Sequence, residues 1–212
     1  MRAQKLATQL RQEQIAQAAL NLIGSQGLQA LNISTVAQAV GLVPSGIYRH
    51  FRSKDELLEA TLELIREKML ENVALARESA PDALGQLKAL LLRHLQLIME
   101  HQAIPLLVFS EGIFADSEGR RAKVRSIISD YFSEIEKIVV QGQEEGIIKP
   151  DIEPLTVVLM FKGLVMPAVV LWRISGGELD LFEHAEAAWQ LFVAAVGQED
   201  NPNKGGRKNE DN

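Results

Sequence analysis

The chain has no cysteine. Neither a disulfide framework nor a cysteine-ligated zinc site is open to it, and a reducing cytoplasm is the expected setting. Aromatic residues are scarce, 5% of 212, so aliphatic side chains must build the core. Acids are nearly missing from the first 54 residues, where Arg2, Lys5, Arg11, Arg49, Arg52 and Lys54 face only Glu13, a net charge of +5. The other 158 residues hold sixteen Lys/Arg against 27 Asp/Glu, a net −11 that completes the total of −6. A polyanion is drawn to one end and repelled by the other, although charge alone leaves a chance imbalance open. The opening run MRAQKLATQLRQEQ has no apolar h-region and no cleavage pattern, which predicts no export.

Signatures of catalysis are missing as well. There is no phosphate-cradling glycine loop, no nucleophile elbow and no paired-histidine metalloprotease motif, so no enzyme and no cofactor is expected. His94 and His101 lie seven apart and would share a helix face, but two histidines without a third ligand do not define a metal site.

Helical periodicity dominates what is present, and no segment alternates with the period of a strand. The pattern predicts an all-α fold of about nine helices. The first covers 10–25, where Ile15, Ala19, Leu22 and Ile23 recur at helical spacing, and Gly24 to Gly27 end it. Asn32 caps a second over 33–40, stopped by Gly41, and Pro44 opens a third over 44–50. Ser53 and Glu56 form a capping box for a fourth, running to about Ser79 with the stripe Leu58, Leu62, Ile65 and Met69. Proline starts and glycine stops place the rest at 82–101, 104–115, 118–145, 154–175 and 179–196. The closing stretch from 198 to 212 is polar and low in complexity, the composition of a disordered tail.

Helix 154–175 is apolar nearly all round and borderline in length for a membrane span. Lys162 near its centre, Pro167 and the lack of a second span favour a soluble core helix and no membrane partner. Such a helix needs two apolar neighbours, its own core and a partner. With the stripe on 179–196 it predicts a homodimer interface of Leu164, Val165, Val169, Leu181, Phe182, Ala185, Trp189 and Phe192, the alternative being a large monomer core.

Two short helices around the turn Gly41-Leu42-Val43 have the form of a helix-turn-helix. Ser45, Tyr48, Arg49, His50 and Lys54 decorate the second helix within ten residues, the side-chain types that reach phosphate oxygens and, for Arg, guanine edges. Lys54 opposes the macrodipole at a helix N-terminus, an arrangement that a bound phosphate would turn to advantage. Each has a plainer reading: a half-buried Tyr48, a neutral surface His50, an Arg49 that clamps phosphate, and Arg2, Lys5 and Arg11 as a mobile charged end rather than an arm on DNA.

The run VAQAVGLVPSGIYRHFRSKDELL resembles the signature of the tetracycline-repressor (TetR) family, over about residues 11–62. The resemblance implies an N-terminal three-helix DNA-binding domain (1–54) and a helical ligand-binding and dimerisation domain (55–197). It further implies phosphate contacts from Tyr48, His50 and Lys54, base contacts from Pro44, Ser45, Gly46 and Arg49, and a packing role for Phe51. Asn32 and Thr35 complete the predicted DNA-binding set. Val43 departs from the family, which often has a capping Ser there, and Asn32 stands where Thr is usual. For the sensing half, Met69, Met99, Phe109, Phe114, Phe161, Met166 and Trp172 are the pocket set, each more often plain core than ligand contact, and Glu111 joins them as a contact for a cationic ligand, its plainer reading being a solvent-facing carboxylate. The expected protein is a ligand-responsive regulator, a repressor released from a palindromic double-stranded operator by an unidentified apolar or amphipathic molecule. An architectural or adaptor DNA-binding protein that senses nothing is the alternative, ahead of a small metal-dependent enzyme.

Overall fold

A computed structural model describes residues 2–108 and 118–198. Among these, ten α-helices and one 3-10 turn follow one another, and no strand is formed. Helix α1 spans Arg2–Gln26, α2 Ile33–Ala39, α3 Pro44–Ile47, α4 Lys54–Ser79, α5 Ala83–Glu100 and α6 Ala103–Val108. After the second described stretch opens, α7 spans Glu118–Glu144, α8 Pro154–Gly163, α9 Met166–Ile174 and α10 Leu181–Val196.

Asn32 and Ser53 cap α2 and α4 as expected, and acidic residues cap three further helices. Asn32 accepts from the Thr35 N–H at 2.9 Å and Ser53 from the Glu56 N–H at 3.1 Å. Asp82 accepts from Gly85, Glu153 from Thr156, and Asp180 from both Phe182 and Glu183. Each bond satisfies a backbone donor that the first helical turn leaves without a partner. Glu56 reaches back to the Arg52 N–H at 2.5 Å, one residue before the cap rather than to the cap itself.

Three helices differ from the expected bounds. The first starts at Arg2 instead of residue 10. Residues 2–14 hold no Gly or Pro and are rich in Ala, Gln, Leu, Lys and Arg, strong helix formers that need no apolar stripe. The third is a single helical turn, Pro44–Ile47, prolonged by a hydrogen-bonded turn in which His50 and Phe51 both donate to the Ile47 carbonyl. The apolar stretch 154–175 is two helices, because Pro167 has no N–H for the Gly163 carbonyl. The chain tightens there, with Leu164 donating to Phe161 and Val165 to Lys162, before α9 begins. It is the one stretch among the described residues long and apolar enough to cross a membrane, yet Val157, Val158, Phe161, Val165, Ala168 and Val169 are buried within the chain. Only the start of the expected helix 104–115 and none of the tail after 198 lies within the described residues.

One aliphatic core runs through the whole chain, from Ile15, Leu20 and Ile23 of α1 through Leu57, Leu62 and Ile65 of α4 to Phe192 and Val196 of α10. Helix α4 organises it, packing on α1, α5 and α7. Six of the eight residues assigned to the dimer interface belong to this core: Val165, Val169, Leu181, Ala185, Trp189 and Phe192 are at most 5% exposed. Phe192 packs against Trp189 and Phe161 at ring-centroid distances of 5.4 and 6.0 Å. The assignment is therefore corrected. The regular apolar stripe of α10 faces inward, and the large apolar residues that α8 to α10 leave most exposed are others, Leu159, Val170, Leu171, Ile174 and Leu191. Phe182 is exposed and Leu164 half-buried, so these two alone of the predicted set reach the surface.

Candidate nucleic-acid interface

The geometry of the two short helices is fixed by the turn between them. Leu42 donates to the Ala37 carbonyl at 2.8 Å and Gly41 to that of Gln38 at 3.2 Å, the bonding pattern of a glycine-terminated helix end. Gly41 sits at φ +68°, in the left-handed region where a side chain costs about 1–2 kcal/mol. Helix α1 then braces both helices. Arg11 donates from Nη2 to the Val40 carbonyl at 3.2 Å, and Gln12 donates to the His50 carbonyl at 3.0 Å. Nothing in the hydrophobic pattern marks either residue, and the reading of Arg11 as a free arm gives way to a cap on α2.

The inner side of α3 is closed, with Ile47 fully buried, Phe51 buried beneath the turn and Gly46 close against Leu42. Its outer side presents Pro44, Ser45, Tyr48 and Arg49, positions one and four apart in a helical turn, all exposed. Lys54, exposed in the first turn of α4, extends the same cationic, hydroxyl-bearing stretch of chain. Val43 offers no side-chain cap and is 65% exposed, an apolar group at the mouth of α3 that the family pattern does not supply.

The other four predicted contacts are placed differently. Asn32 is committed to its own helix, with Oδ1 taken by Thr35 and Nδ2 donating to the Ala30 carbonyl at 3.2 Å. Thr35 is half-buried and its hydroxyl donates to the same carbonyl at 3.2 Å. Gly46 is half-buried, and His50 is half-buried with an enclosed Nδ1 that has no hydrogen-bond partner among the described residues.

Behind this head, α4 is tied to α7 by ion pairs along its length. Asp55 meets Arg120 at 2.9 Å, Glu63 meets Lys123, Arg66 meets Asp130 at 2.8 Å and Arg77 meets Glu134 at 3.7 Å. The Lys123 hydrogen bond is the main reason the Glu63 carboxyl is held below its usual range. An open groove of about 590 Å³ runs between the two helices, lined by Leu70 and Val73 and edged by Arg66, Arg77, Asp130 and Glu134.

The predicted pocket set does not converge. Phe109, Glu111 and Phe114 lie outside the described residues. Met69 and Phe161 are core, Met166 and Trp172 are half-buried, and Met99 is 39% exposed beside Leu20 and Asn21 of α1. His101 follows the last residue of α5, so it does not pair with His94, and among the described residues no three metal-ligating side chains gather.

His94 instead belongs to a buried polar chain that sequence reasoning missed. Its Nδ1 lies 3.0 Å from the Tyr131 hydroxyl and its Nε2 lies 2.9 Å from Lys162 Nζ. The ammonium also stands 4.9 Å from the centre of the Tyr131 ring. Burial pushes the Lys162 amine down to about 7, lowers His94 well below the usual imidazole range with help from the Lys162 charge, and raises Tyr131. Lys162 as a residue is half-buried, with its amine set against the buried His94 and Tyr131. The lone lysine in an otherwise apolar helix was the available signal.

A three-helix head with an exposed cationic turn, carried by a long helix into an aliphatic bundle, defines a helix-turn-helix DNA-binding protein. Residues 15–61 match the model of bacterial regulatory proteins of the tetR family, and residues 61–195 match that of the C-terminal region of YsiA-like proteins. The chain belongs to the tetR family, and it is a DNA-binding transcriptional regulator. It is 23% identical to the fatty acid metabolism regulator protein of Bacillus subtilis, across 86% of this chain and 94% of that protein. The nucleoid occlusion factor SlmA of Marinobacter nauticus is 25% identical over 69% of this chain and 73% of its own. Among solved structures, the regulator FadR from Bacillus subtilis in complex with stearoyl-CoA superposes with a TM-score of 0.72 at 22% identity, covering 86% of this chain and 98% of that one.

Proposed function

We propose that this regulator is a cytoplasmic homodimeric repressor, bound to a palindromic operator and released from it by a small amphipathic molecule of fatty-acyl type. The observation that carries the reading is the exposed face of Pro44, Ser45, Tyr48 and Arg49 beside Lys54, backed by a fully packed interior. Residues 1–54 serve as the DNA-reading part and 55–197 as the sensing and dimerising part, with 198–212 as a tail. Tyr48, His50 and Lys54 meet phosphates, Arg49 and Ser45 meet base edges, and Val43 and Pro44 are suited to a thymine methyl. Asn32, Thr35 and Gly46 shape the surface more than they touch DNA. The effector class follows the fatty acid regulator and the stearoyl-CoA complex among the relatives.

Pairing falls to the outer apolar face of α8 to α10, where Leu159, Val170, Leu171, Ile174 and Leu191 are each about half exposed or more. Apolar groups gathered in that way mark an association surface. A two-fold pair must set its recognition helices one DNA turn apart, roughly 34–36 Å, so a small rotation of α4 breaks register. The ion pairs from α4 to α7 make such a rotation the natural response to a ligand that rearranges the bundle. An adaptor that senses nothing is the competing reading, favoured by the similarity to a nucleoid occlusion factor.

The test is a gel shift of the purified protein on the DNA upstream of its own gene, with and without a long-chain acyl-CoA. Binding that the acyl-CoA abolishes is expected. Binding that no acyl compound affects would favour the adaptor, and no binding at any ionic strength would end both readings.

A further inference from the structure

The polar chain of His94 on α5, Tyr131 on α7 and Lys162 on α8 brings three helices together at one point inside the sensing bundle. Its hydrogen bonds do not balance. A neutral imidazole offers one N–H and one lone pair. With Lys162 charged, the ammonium must donate to Nε2, so Nδ1–H donates to Tyr131 Oη, leaving the Tyr131 O–H and two ammonium N–H groups without acceptors among the described residues. With Lys162 neutral, either direction of the chain leaves two donors over, the Tyr131 O–H with one amine N–H or both amine N–H groups. No carboxylate among the described residues pairs with Lys162, and the ring of Tyr131 offers the ammonium its only partial compensation. Burying donors without acceptors is costly, and burying a cation without an anion more so. A site with surplus donors in every protonation state is complementary to an oxygen acceptor, and best to an anionic one.

Resting on the ligand-responsive reading above, we propose that Lys162 and Tyr131, held in place by His94, form the anchor for the acyl oxygen of the effector, with a carboxylate as the preferred headgroup. The low amine value is consistent with a lysine that becomes fully charged only when an anion arrives. His94 is a positioning residue: it fixes both donors and contacts no ligand.

The experiment is calorimetric titration of the wild type, Lys162→Met and Tyr131→Phe with three probes of one chain length: dodecanoate, dodecanoyl-CoA and 1-dodecanol. Circular dichroism reports whether each variant is folded, and Tyr131→Phe, which removes one oxygen, stands in should Lys162→Met fail to fold. The expected result is at least a tenfold loss of dodecanoate affinity in Lys162→Met, a smaller loss in Tyr131→Phe, and an unchanged affinity for dodecanol. In the wild type, the Lys162 side-chain resonance should move to its charged position at neutral pH as dodecanoate is added, which a merely structural lysine would not do. A loss confined to dodecanoyl-CoA keeps the anchor and assigns it to a thioester carbonyl. Equal affinities in wild type and both variants would overturn the anchor, as would a wild type that binds none of the probes. In that last case an intact DNA gel shift leaves the regulator standing, so the two failures are distinguishable.

Discussion

Arg11 donates to the Val40 carbonyl at 3.2 Å, which places a cation of α1 on the C-terminus of α2. A guanidinium at that position satisfies a carbonyl the helix cannot and complements its dipole. Arg11→Ala should therefore lower stability by about 1 kcal/mol. It should weaken DNA binding while leaving its salt dependence intact, because the residue positions the head without neutralising a phosphate. A salt slope that falls in Arg11→Ala would return the residue to the DNA-contacting arm.

Lys54 should behave in the opposite way. As a phosphate contact repeated in each protomer, its replacement by Ala should flatten the plot of log affinity against log salt by about 1.8, two phosphates at roughly 0.9 each. The melting temperature should hardly move or should rise, since a cation leaves a helix N-terminus. Fluorescence anisotropy on operator DNA at several salt concentrations separates the two outcomes, and an unchanged slope would remove Lys54 from the interface.

Asn32 tests the division between touching DNA and shaping the head. Its side chain is spent on Thr35 N–H and the Ala30 carbonyl. Asn32→Ala should cost about 1 kcal/mol in chemical denaturation, and Asn32→Ser or Asp should recover most of it. Recovery of stability without recovery of DNA affinity would show a direct contact instead.

What the sequence made legible follows from which signals are local. Caps at Asn32 and Ser53, the glycine turn at Gly41 and the proline at Pro44 each act within a few residues, so α2, the turn after it and the starts of α3 and α4 were visible almost to the residue. Long-range choices were not. Two apolar faces on one helix carry no mark of which meets the core and which a partner, and Trp189 and Phe192 were assigned to the wrong one. The polar chain joins residues 94, 131 and 162, separations over which no periodicity operates. Lys162 registered only as a charge too many for a membrane span.

The outer face of α8 to α10 gives a prediction about assembly. Ile174 is 78% exposed and Leu191 74%, so neither supports the fold of a single chain. Ile174→Glu and Leu191→Glu together should yield a folded monomer in sedimentation experiments, with helical content retained and operator affinity lost. A single change of the same kind at a core position, Phe192→Glu, would instead unfold the chain, at a cost of several kcal/mol. A double variant that remains dimeric would place the interface elsewhere.

The buried amine makes stability depend on pH in a direction that can be worked out. Lys162 titrates near 7 when folded and near its ordinary 10.5 when unfolded. Between these values the unfolded chain binds a proton that the folded one does not, so stability rises with pH across that window, and below 7 the full penalty stands. His94, lowered from 6.5, acts in the same sense at acid pH, costing further stability as pH falls through 6.5. Tyr131, raised from 10.0, holds its stabilising effect up to that value and then loses it, which closes the useful range at about pH 10. Lys162→Met removes the first of these groups and leaves a side chain of similar length that needs no partner. The variant should melt several degrees above the wild type at pH 7, and the gap should shrink steadily as pH rises to 9.5. Differential scanning calorimetry at both pH values measures it. A gap that stays constant would mean that the amine is not enclosed in the folded protein, and the donor surplus from which the anchor was inferred would go with it.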